Sequence, residues 1–230
     1  MNAAPPLSVQ SLSLGGPPLT FSVQPGEILA VLGDNGAGKS LLLAHLGGHL
    51  RVPPGSVQVG GRELRTALAE VGVVFQHSGL IRNMTVFENI ALPFLVHGLD
   101  LDDVLQEKVR LRLRLLGCEH LADEDVNHLS EGDKRCVALA RALAGPTRLL
   151  LADEPVGALA PAKKALVEEL LTSLVRTGVL TGLVFATQDL DFARRVATHF
   201  LLLHGGGHTL LRREDAAQNE QYQAFTIRTL

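Results

Sequence analysis

The sequence predicts an α/β fold in which a mainly parallel sheet is covered by helices on both faces. Strand-like apolar runs alternate with helix-like segments along most of the 230 residues, which is typical of parallel strands joined by crossover helices. Two of these runs, at 28–32 and 149–152, contain only apolar residues, as expected for strands buried on both faces. Between Leu7 and Val59 the runs are short and separated by Pro/Gly turns, which indicates an antiparallel part at the N-terminus.

A glycine-rich loop follows the apolar run at 28–32. Its sequence, G-D-N-G-A-G-K-S, has the spacing of a phosphate-binding loop, and a helix-compatible run at 41–46 comes directly after it. The glycines allow backbone N–H groups to point at phosphate oxygens, and the helix N-terminus favours negative charge. Lys39 adds a positive charge for the β- and γ-phosphates, and the Ser40 hydroxyl can ligate Mg²⁺. The residues predicted to bind nucleotide in this segment are Gly33, Asp34, Asn35, Gly36, Ala37, Gly38, Lys39, Ser40 and Leu41.

Two carboxylates follow the second apolar run. Asp153 and Glu154 come directly after 149–152, and the carboxyl ends of parallel strands meet at one edge of a sheet. Asp153 is predicted to hold Mg²⁺ through water. Glu154 is predicted to lie beside the γ-phosphate, where a carboxylate can polarise an attacking water. The two motifs together predict a magnesium–nucleotide site.

The composition argues against several classes of function. A formal charge of −3 argues against a general nucleic-acid binder, which needs a basic surface. The N-terminus lacks the basic and apolar regions of a secretory signal, and no run approaches the ~18–20 apolar residues of a membrane span. We therefore expect a cytoplasmic chain without direct membrane insertion, which reaches a membrane through a partner.

The middle of the chain, at about 77–145, is helical in character. Within it, residues 109–115 alternate apolar and Arg with the period of a strand. Acidic residues precede this run, Gly117 follows it, and the arginines lie near its end, which suits a helix dipole. We predict a helix because apolar residues also recur at helical spacing at Leu105, Val109, Leu113 and Leu116.

Two further motifs give the chain a family resemblance. The sequence Leu129-Ser130-Glu131-Gly132-Asp133 precedes Asp153, and Gln76 follows a strand-like run at 71–75. With the motifs above, the chain resembles the nucleotide-binding subunits of ABC transporters over nearly its whole length. The resemblance implies a phosphate-loop NTPase core in one domain, 1–230, with an inserted helical subdomain at about 77–145. It also implies ATP and Mg²⁺ as cofactors and hydrolysis coupled to transport.

The same resemblance implies roles for single residues and partners. Ser130 and Gly132, in the signature motif, are expected to face the γ-phosphate bound by a partner subunit. Gln76 is expected to reach Mg²⁺ and the attacking water, and Gln188 to occupy the position of the switch histidine that senses the γ-phosphate. The implied partners are transmembrane permease subunits and a second ATPase, in a homodimer or a heterodimer, at the inner face of the cell membrane.

Two short segments bear on the branch of the family, and each resembles a different branch. The segment from Phe75 to Pro93 looks most like the ATPases of Mla-type lipid transporters, which work with Mce-domain proteins. Residues 150–155 are more similar to the lipoprotein-release and cell-division ATPases. The first resemblance implies transport of a lipid or another hydrophobic substrate, and the second implies mechanical signalling through a membrane partner.

Four departures from the family pattern are expected to affect ATP hydrolysis and nucleotide binding. Ala160 stands where the family has the D-loop aspartate, Gln188 replaces the switch histidine, and Glu131 adds a carboxylate to the signature. Residues 1–20 contain no aromatic residue to stack on adenine, and Leu14 is nearest that place. We expect slow hydrolysis unless a partner supplies what is missing. Two alternatives are that a working ATPase tolerates these changes, and that the chain is a nucleotide-responsive scaffold that does not turn over.

Overall fold

Two β-sheets form the framework of the chain in the computed structural model, which describes residues 4–100, 102–205 and 207–229. The strands are β1 Leu7–Leu12, β2 Leu19–Val23, β3 Ile28–Gly33, β4 Val57–Val59, β5 Arg62–Glu63, β6 Val71–Val74, β7 Leu149–Asp153, β8 Gly182–Ala186, β9 His199–His204 and β10 Gly207–Arg212. The helices are α1 Lys39–Leu46, α2 Leu64–Ala67, α3 Val86–Val96, α4 Asp103–Leu115, α5 Glu131–Ala142, α6 Pro161–Arg176, α7 Leu190–Val196, α8 Arg213–Ala216 and α9 Glu220–Thr229.

The larger sheet has six strands in the order β10-β9-β3-β8-β7-β6. The five strands from β9 to β6 are parallel, and β10 pairs antiparallel with β9 at the edge. Alternate residues of β3 point to opposite faces, so that Ile28 and Ala30 join one apolar core while Leu29 and Val31 join the other. The predicted mainly parallel sheet, covered on both faces, is confirmed.

The smaller sheet is antiparallel and lies in the N-terminal part, as predicted. Its order is β2-β1-β4-β5, and β1 pairs antiparallel with both β2 and β4. Its inward side chains, such as Leu7, Phe21 and Val59, share an apolar core with helix α1 and with one face of the larger sheet. The antiparallel sheet therefore covers the face of the larger sheet on which α1 packs.

The ambiguous run at 109–115 is helical. Asp102 caps α4, accepting a hydrogen bond from the backbone N–H of Leu105, and Arg112 and Arg114 occupy the last turn. The predicted helical stripe is buried, with Leu105, Val109 and Leu113 fully inaccessible to solvent. Burial of this stripe decides the conformation, because a strand would direct its leucines and arginines to opposite faces.

Helices α3, α4 and α5 occupy the segment predicted to be helical and pack against one another. Near the C-terminus, α9 buries Tyr222 and Phe225. Within the described residues, the structure has no helix long and apolar enough to cross a lipid bilayer.

Candidate functional site

The glycine-rich loop at 34–38 connects β3 to the N-terminus of α1. Gly36 and Gly38 adopt positive φ angles of 81° and 96°, a conformation that is strained for residues with a Cβ. Gly33 lies so close to β9 that a Cβ atom would come within 2.6 Å of the Leu203 carbonyl oxygen. Helix α1 begins at Lys39, two residues before the predicted run, because the loop's last residues already form its first turn. The predicted phosphate-binding loop thus precedes a helix N-terminus.

Lys39 is nine-tenths buried and is held inside the loop. Its Nζ donates to the carbonyl oxygens of Gly33, at 2.6 Å, and Asp34, at 3.0 Å. Burial lowers the pKa of Lys39, and the negative charges of Glu154, Asp153 and Asp34 oppose that shift. A buried ammonium group in a glycine-rich loop at the N-terminus of a helix is suited to binding an anion.

Glu154 is held at the carboxyl end of β7 by two donors from the end of β8. Its carboxylate accepts hydrogen bonds of 2.8 Å from the Thr187 hydroxyl and from the Gln188 backbone N–H. The backbone of Glu154 has a φ of 50°, an uncommon conformation for a residue with a Cβ. Burial raises the pKa of Glu154, while the two hydrogen bonds and Lys39 oppose the rise. A fixed carboxylate with a raised pKa is suited to act as a general base.

Gln188 also connects this strand end to the loop, because its side-chain Nε2 donates to Asn35 Oδ1 at 2.8 Å. The adjacent Asp189 caps α7 and pairs with Lys164 of α6. Of the residues predicted from sequence, Asn35, Lys39, Glu154 and Gln188 are therefore brought together. Ser40 and Leu41 lie in the exposed first turn of α1.

Asp153 and Gln76 lie at the ends of the neighbouring strands β7 and β6. Asp153 is buried and Gln76 is exposed. A residue absent from the sequence predictions, Arg135 of α5, joins the two segments. Its guanidinium donates to the carbonyl oxygens of Phe75 at 2.6 Å, of Gln76, and of Asp153 at 3.1 Å. The signal for this residue in the sequence was a single Arg among the apolar residues that begin the buried face of α5.

Ser130 and Gly132 lie at the N-terminus of α5. Ser130 caps the helix, accepting from the Asp133 backbone N–H, while its own hydroxyl donates to Asp133 Oδ2 at 2.6 Å. Asp133 also pairs with Lys163 of α6, and its pKa is lowered by hydrogen bonds from Lys163 and Ser130. Gly132 packs closely on the loop before α6, since a Cβ there would lie 2.9 Å from the Ala158 carbonyl oxygen.

The carboxylate of Glu131, at the same end of α5, has an ion-pair partner. It forms an ion pair of 2.8 Å with Lys134, one turn further along α5. The carboxylate is largely exposed, so the pair gives little net stabilisation. The negative charge that Glu131 adds to the signature motif is therefore partly compensated by Lys134 of the same helix.

A cavity of about 400 Å³ adjoins the phosphate-binding loop. Its lining includes Leu14 and Gly15 from the loop after β1, Asp34 and Asn35 from the phosphate-binding loop, and His204 from β9. Leu14 is half-buried and extends towards Gly38, where a Cβ would lie 3.7 Å from its Cδ1. This is the place at which the sequence predicts the nucleotide base, with Leu14 instead of an aromatic ring.

The oxygen donors at the start of α1 and the end of β7 fit Mg²⁺. Ser40 supplies a hydroxyl oxygen and Asp153 a carboxylate oxygen, and Mg²⁺ prefers a few such oxygen ligands, completed by water and phosphate. Within residues 4–100, 102–205 and 207–229, no three His, Cys, Asp or Glu side chains converge into a metal cluster. A serine hydroxyl and an aspartate carboxylate thus give this pair of residues the oxygen chemistry of a magnesium–phosphate site.

Comparison with known proteins identifies the relatives of this arrangement. The profile of the family described as "ABC transporter" matches residues 17–157. A methionine import ATP-binding protein of Cereibacter sphaeroides is 40% identical over 195 residues, which cover 81% of this chain and 55% of that protein. A tungstate uptake ATP-binding protein of Peptoclostridium acidaminophilum is 36% identical over 82% of this chain and 86% of the relative. A lipoprotein-releasing ATP-binding protein of Ruegeria pomeroyi is 40% identical over 76% of this chain and 80% of the relative.

The chain spans about half the length of the methionine import relatives, 55% in the first case. Among solved structures, a dimeric ATP-binding cassette bound to ADP and Pi superposes with a TM-score of 0.82 at 24% identity, over 90% of this chain and 98% of that one. An inward-facing metal-chelate type ABC transporter gives a TM-score of 0.79 at 28% identity, over 98% of this chain and 89% of that one. The fold of the cassette structures is therefore shared along most of the chain.

Proposed function

The chain belongs to the ABC transporter family, and we propose that it is an ATP-binding subunit that hydrolyses ATP to drive transport through membrane-embedded partners. The observation that carries this proposal is the position of Glu154. Its carboxylate is fixed by Thr187 and Gln188 and lies close enough to Lys39 for each to influence the pKa of the other. A general base and a phosphate-binding ammonium group thus lie at one site.

The cofactor of this family is ATP with Mg²⁺, which supply the γ-phosphoryl group and the Lewis acid when bound. Lys39 and the N–H groups of the loop would neutralise phosphate charge, and Ser40 with Asp153 would hold the metal. Glu154 accepts a proton from the attacking water on a carboxylate oxygen. Gln188 donates a hydrogen bond from its amide, and Gln76 orients the water from the end of β6.

We propose that each complete site includes a second cassette. Ser130 and Gly132 would face the nucleotide of that partner, and the partner's signature would face the nucleotide bound here. The segment 77–145 would act as a helical subdomain that contacts the permease. Such a chain would lie at the inner face of the membrane without entering it. Whether the second cassette is a copy of this chain or a different ATPase decides whether both sites carry the same replaced residues.

A lipid or another hydrophobic molecule is the substrate that we favour. The sequence between Phe75 and Pro93 supports this choice, together with the 40% identity to a lipoprotein-releasing ATP-binding protein. The second candidate is import of a small solute, which the equal identity to a methionine import protein favours. The permease decides between them, so its identification after affinity purification from the native membrane is the direct test.

Turnover by the isolated chain is expected to be slow, because Gln188 cannot supply the charge of an imidazolium and Ala160 cannot supply a carboxylate. The test is the rate of phosphate release by the purified chain, beside Glu154→Gln and Gln188→His. Removal of a general base is expected to lower kcat by about 10²–10⁴-fold. If the wild type already matches Glu154→Gln, turnover needs a second ATPase or the chain is a scaffold. If the wild type is fast, its replaced residues are tolerated.

A further inference from the structure

The buried guanidinium of Arg135 occupies the junction between three parts of the site. Arg135 lies on α5, four residues after Glu131 begins that helix, and is 8% exposed. It donates to Phe75, Gln76 and Asp153, all through their backbone carbonyl oxygens. The Arg135 side chain therefore links α5, the helix at the signature motif, to the ends of strands β6 and β7.

The sheet itself cannot supply these bonds. The ladder between β6 and β7 ends at the pair Val74 and Ala152. Beyond that pair, within the part of the chain that the structure describes, no backbone hydrogen bond joins Gln76 to Asp153. Arg135 bridges the gap, because its planar group offers several N–H donors in a fixed geometry.

The electrostatic setting of Arg135 also differs from that of a structural ion pair. Within the described residues it has no carboxylate partner at salt-bridge distance, and its Nε is buried without a hydrogen-bond acceptor. Burial lowers the pKa of Arg135, while the charges of Asp153, Glu154 and Glu131 favour its ionised form. A buried charge with an unsatisfied donor is costly for folding, which suggests that its position serves the site.

We propose that Arg135 is a positioning residue that holds Gln76 and Asp153 at the separation needed for Mg²⁺ and for the attacking water. This inference rests on the proposed ATPase function and adds a residue that the family motifs do not mark. It also gives α5 a direct mechanical connection to the metal side of the site. Loss of the guanidinium therefore affects metal-dependent steps, while the phosphate-binding loop, which Arg135 does not contact through any described hydrogen bond, keeps its grip on ATP.

The chain offers a matched control on the same helix. Arg141 is also partly buried on α5 and its pKa is also lowered by burial. It donates to Ser78 O and Asn89 Oδ1, both at 3.3 Å, and makes no described hydrogen bond to Gln76 or Asp153. Replacement of Arg141 by Met removes a comparable buried guanidinium without releasing the two strand ends.

The experiment compares Arg135→Met, Arg135→Lys and Arg141→Met by thermal unfolding, steady-state kinetics and calorimetric titration with ATP in Mg²⁺ or in EDTA. Arg135→Met is expected to lower kcat about tenfold to a hundredfold, the cost of a small misplacement, with little change in KM. It should also lose the gain in ATP affinity that Mg²⁺ provides, while affinity in EDTA stays as in wild type. Arg135→Lys should recover part of the kcat and part of the Mg²⁺-dependent gain in ATP affinity. Arg141→Met should lower the thermal stability without changing kcat or that gain.

The outcomes separate the two proposals. If the wild type releases no phosphate but its Mg²⁺-dependent gain in affinity disappears in Arg135→Met, the positioning role stands and the ATPase proposal fails. If the wild type is active and both Met variants lose activity only in proportion to their stability, the positioning role is overturned. If Arg135→Met does not fold, Arg135→Lys decides, since wild-type kcat and Mg²⁺ dependence in a folded Lys variant would overturn it.

Discussion

Gln188 Nε2 donates a hydrogen bond of 2.8 Å to Asn35 Oδ1, and this contact joins the end of β8 to the phosphate-binding loop across 153 residues of sequence. The side-chain amide of Gln188 is thereby held by the phosphate-binding loop. One of its two N–H donors is bonded to Asn35 and is not free to bond a phosphate oxygen. Both residues are exposed, so the bond can exchange for a contact with a ligand at small cost.

The first prediction concerns this position. Gln188→His is expected to raise kcat for ATP about fivefold to tenfold, because a hydrogen bond from a charged donor is worth roughly 1 kcal/mol more than a neutral one. Gln188→Leu, which has no donor, should fall below the wild type. Phosphate release at saturating MgATP measures both. Equal rates for wild type and the Leu variant would show that the amide has no part in turnover.

The second prediction concerns pH. Burial raises the pKa of Glu154 and the Thr187 hydroxyl opposes the rise, and the active form of a general base is the carboxylate. The kcat of the wild type should therefore fall as the pH drops through a pKa above that of an ordinary Glu. Thr187→Val removes the hydroxyl donor that lowers the pKa of Glu154 while keeping the shape of the side chain, so the acidic limb should move to higher pH.

Thr187→Ser is the control for this experiment, because it keeps the donor and should leave the acidic limb near its wild-type position. A pH–rate profile of kcat in constant ionic strength measures the three proteins. An unchanged limb in Thr187→Val, with the protein folded, would contradict the assignment of Glu154 as the titrating base.

The third prediction concerns the signature motif. The Ser130 hydroxyl donates its single proton to Asp133, so it cannot donate at the same time to a phosphate on a facing subunit. Asp133→Ala should free that proton and remove a negative charge, which is expected to increase ATP-dependent dimerisation about threefold to tenfold. Lys163→Met should decrease ATP-dependent dimerisation, since it leaves the Asp133 carboxylate without its ion-pair partner. Size-exclusion chromatography in a Glu154→Gln background, with MgATP, measures both; changes of the same sign would contradict the argument.

The sequence was informative where local chemistry decides the structure. The strands of the parallel sheet were found because they are apolar on both faces, and α4 was found because its acids, arginines and buried stripe agree. The short strands β5 and β10 were not predicted. Both residues of β5 are exposed, and β10 has no buried position, so neither carries an apolar pattern.

The site was predictable to the same extent. The loop at 33–40 and the pair Asp153 and Glu154 have local motifs, so they could be singled out from the sequence, and the structure places the pair at the carboxyl end of β7 and the loop before α1. Their roles in binding and hydrolysis stay predictions. Arg135 was missed because its partners are backbone carbonyls about 60 residues before it and 18 residues after it in the sequence. Carbonyl oxygens carry no sequence identity, so only the packing of α5 on β6 and β7 reveals the contact.

The last prediction concerns the binding of the adenine base of ATP. Leu14 lines the cavity of about 400 Å³ beside Asp34 and Asn35, and an aliphatic side chain cannot stack on a nucleobase as an aromatic ring does. Leu14→Tyr should therefore strengthen ATP binding by about 1–3 kcal/mol, the usual range for base–aromatic stacking. Ser13→Tyr is the matched control, because Ser13 is exposed and its hydroxyl bonds the Gly16 carbonyl at 3.2 Å. Calorimetric titration with ATP and with inorganic triphosphate separates the base from the phosphates: the gain should appear for ATP alone. A gain of equal size for triphosphate, or in Ser13→Tyr, would place the adenine elsewhere.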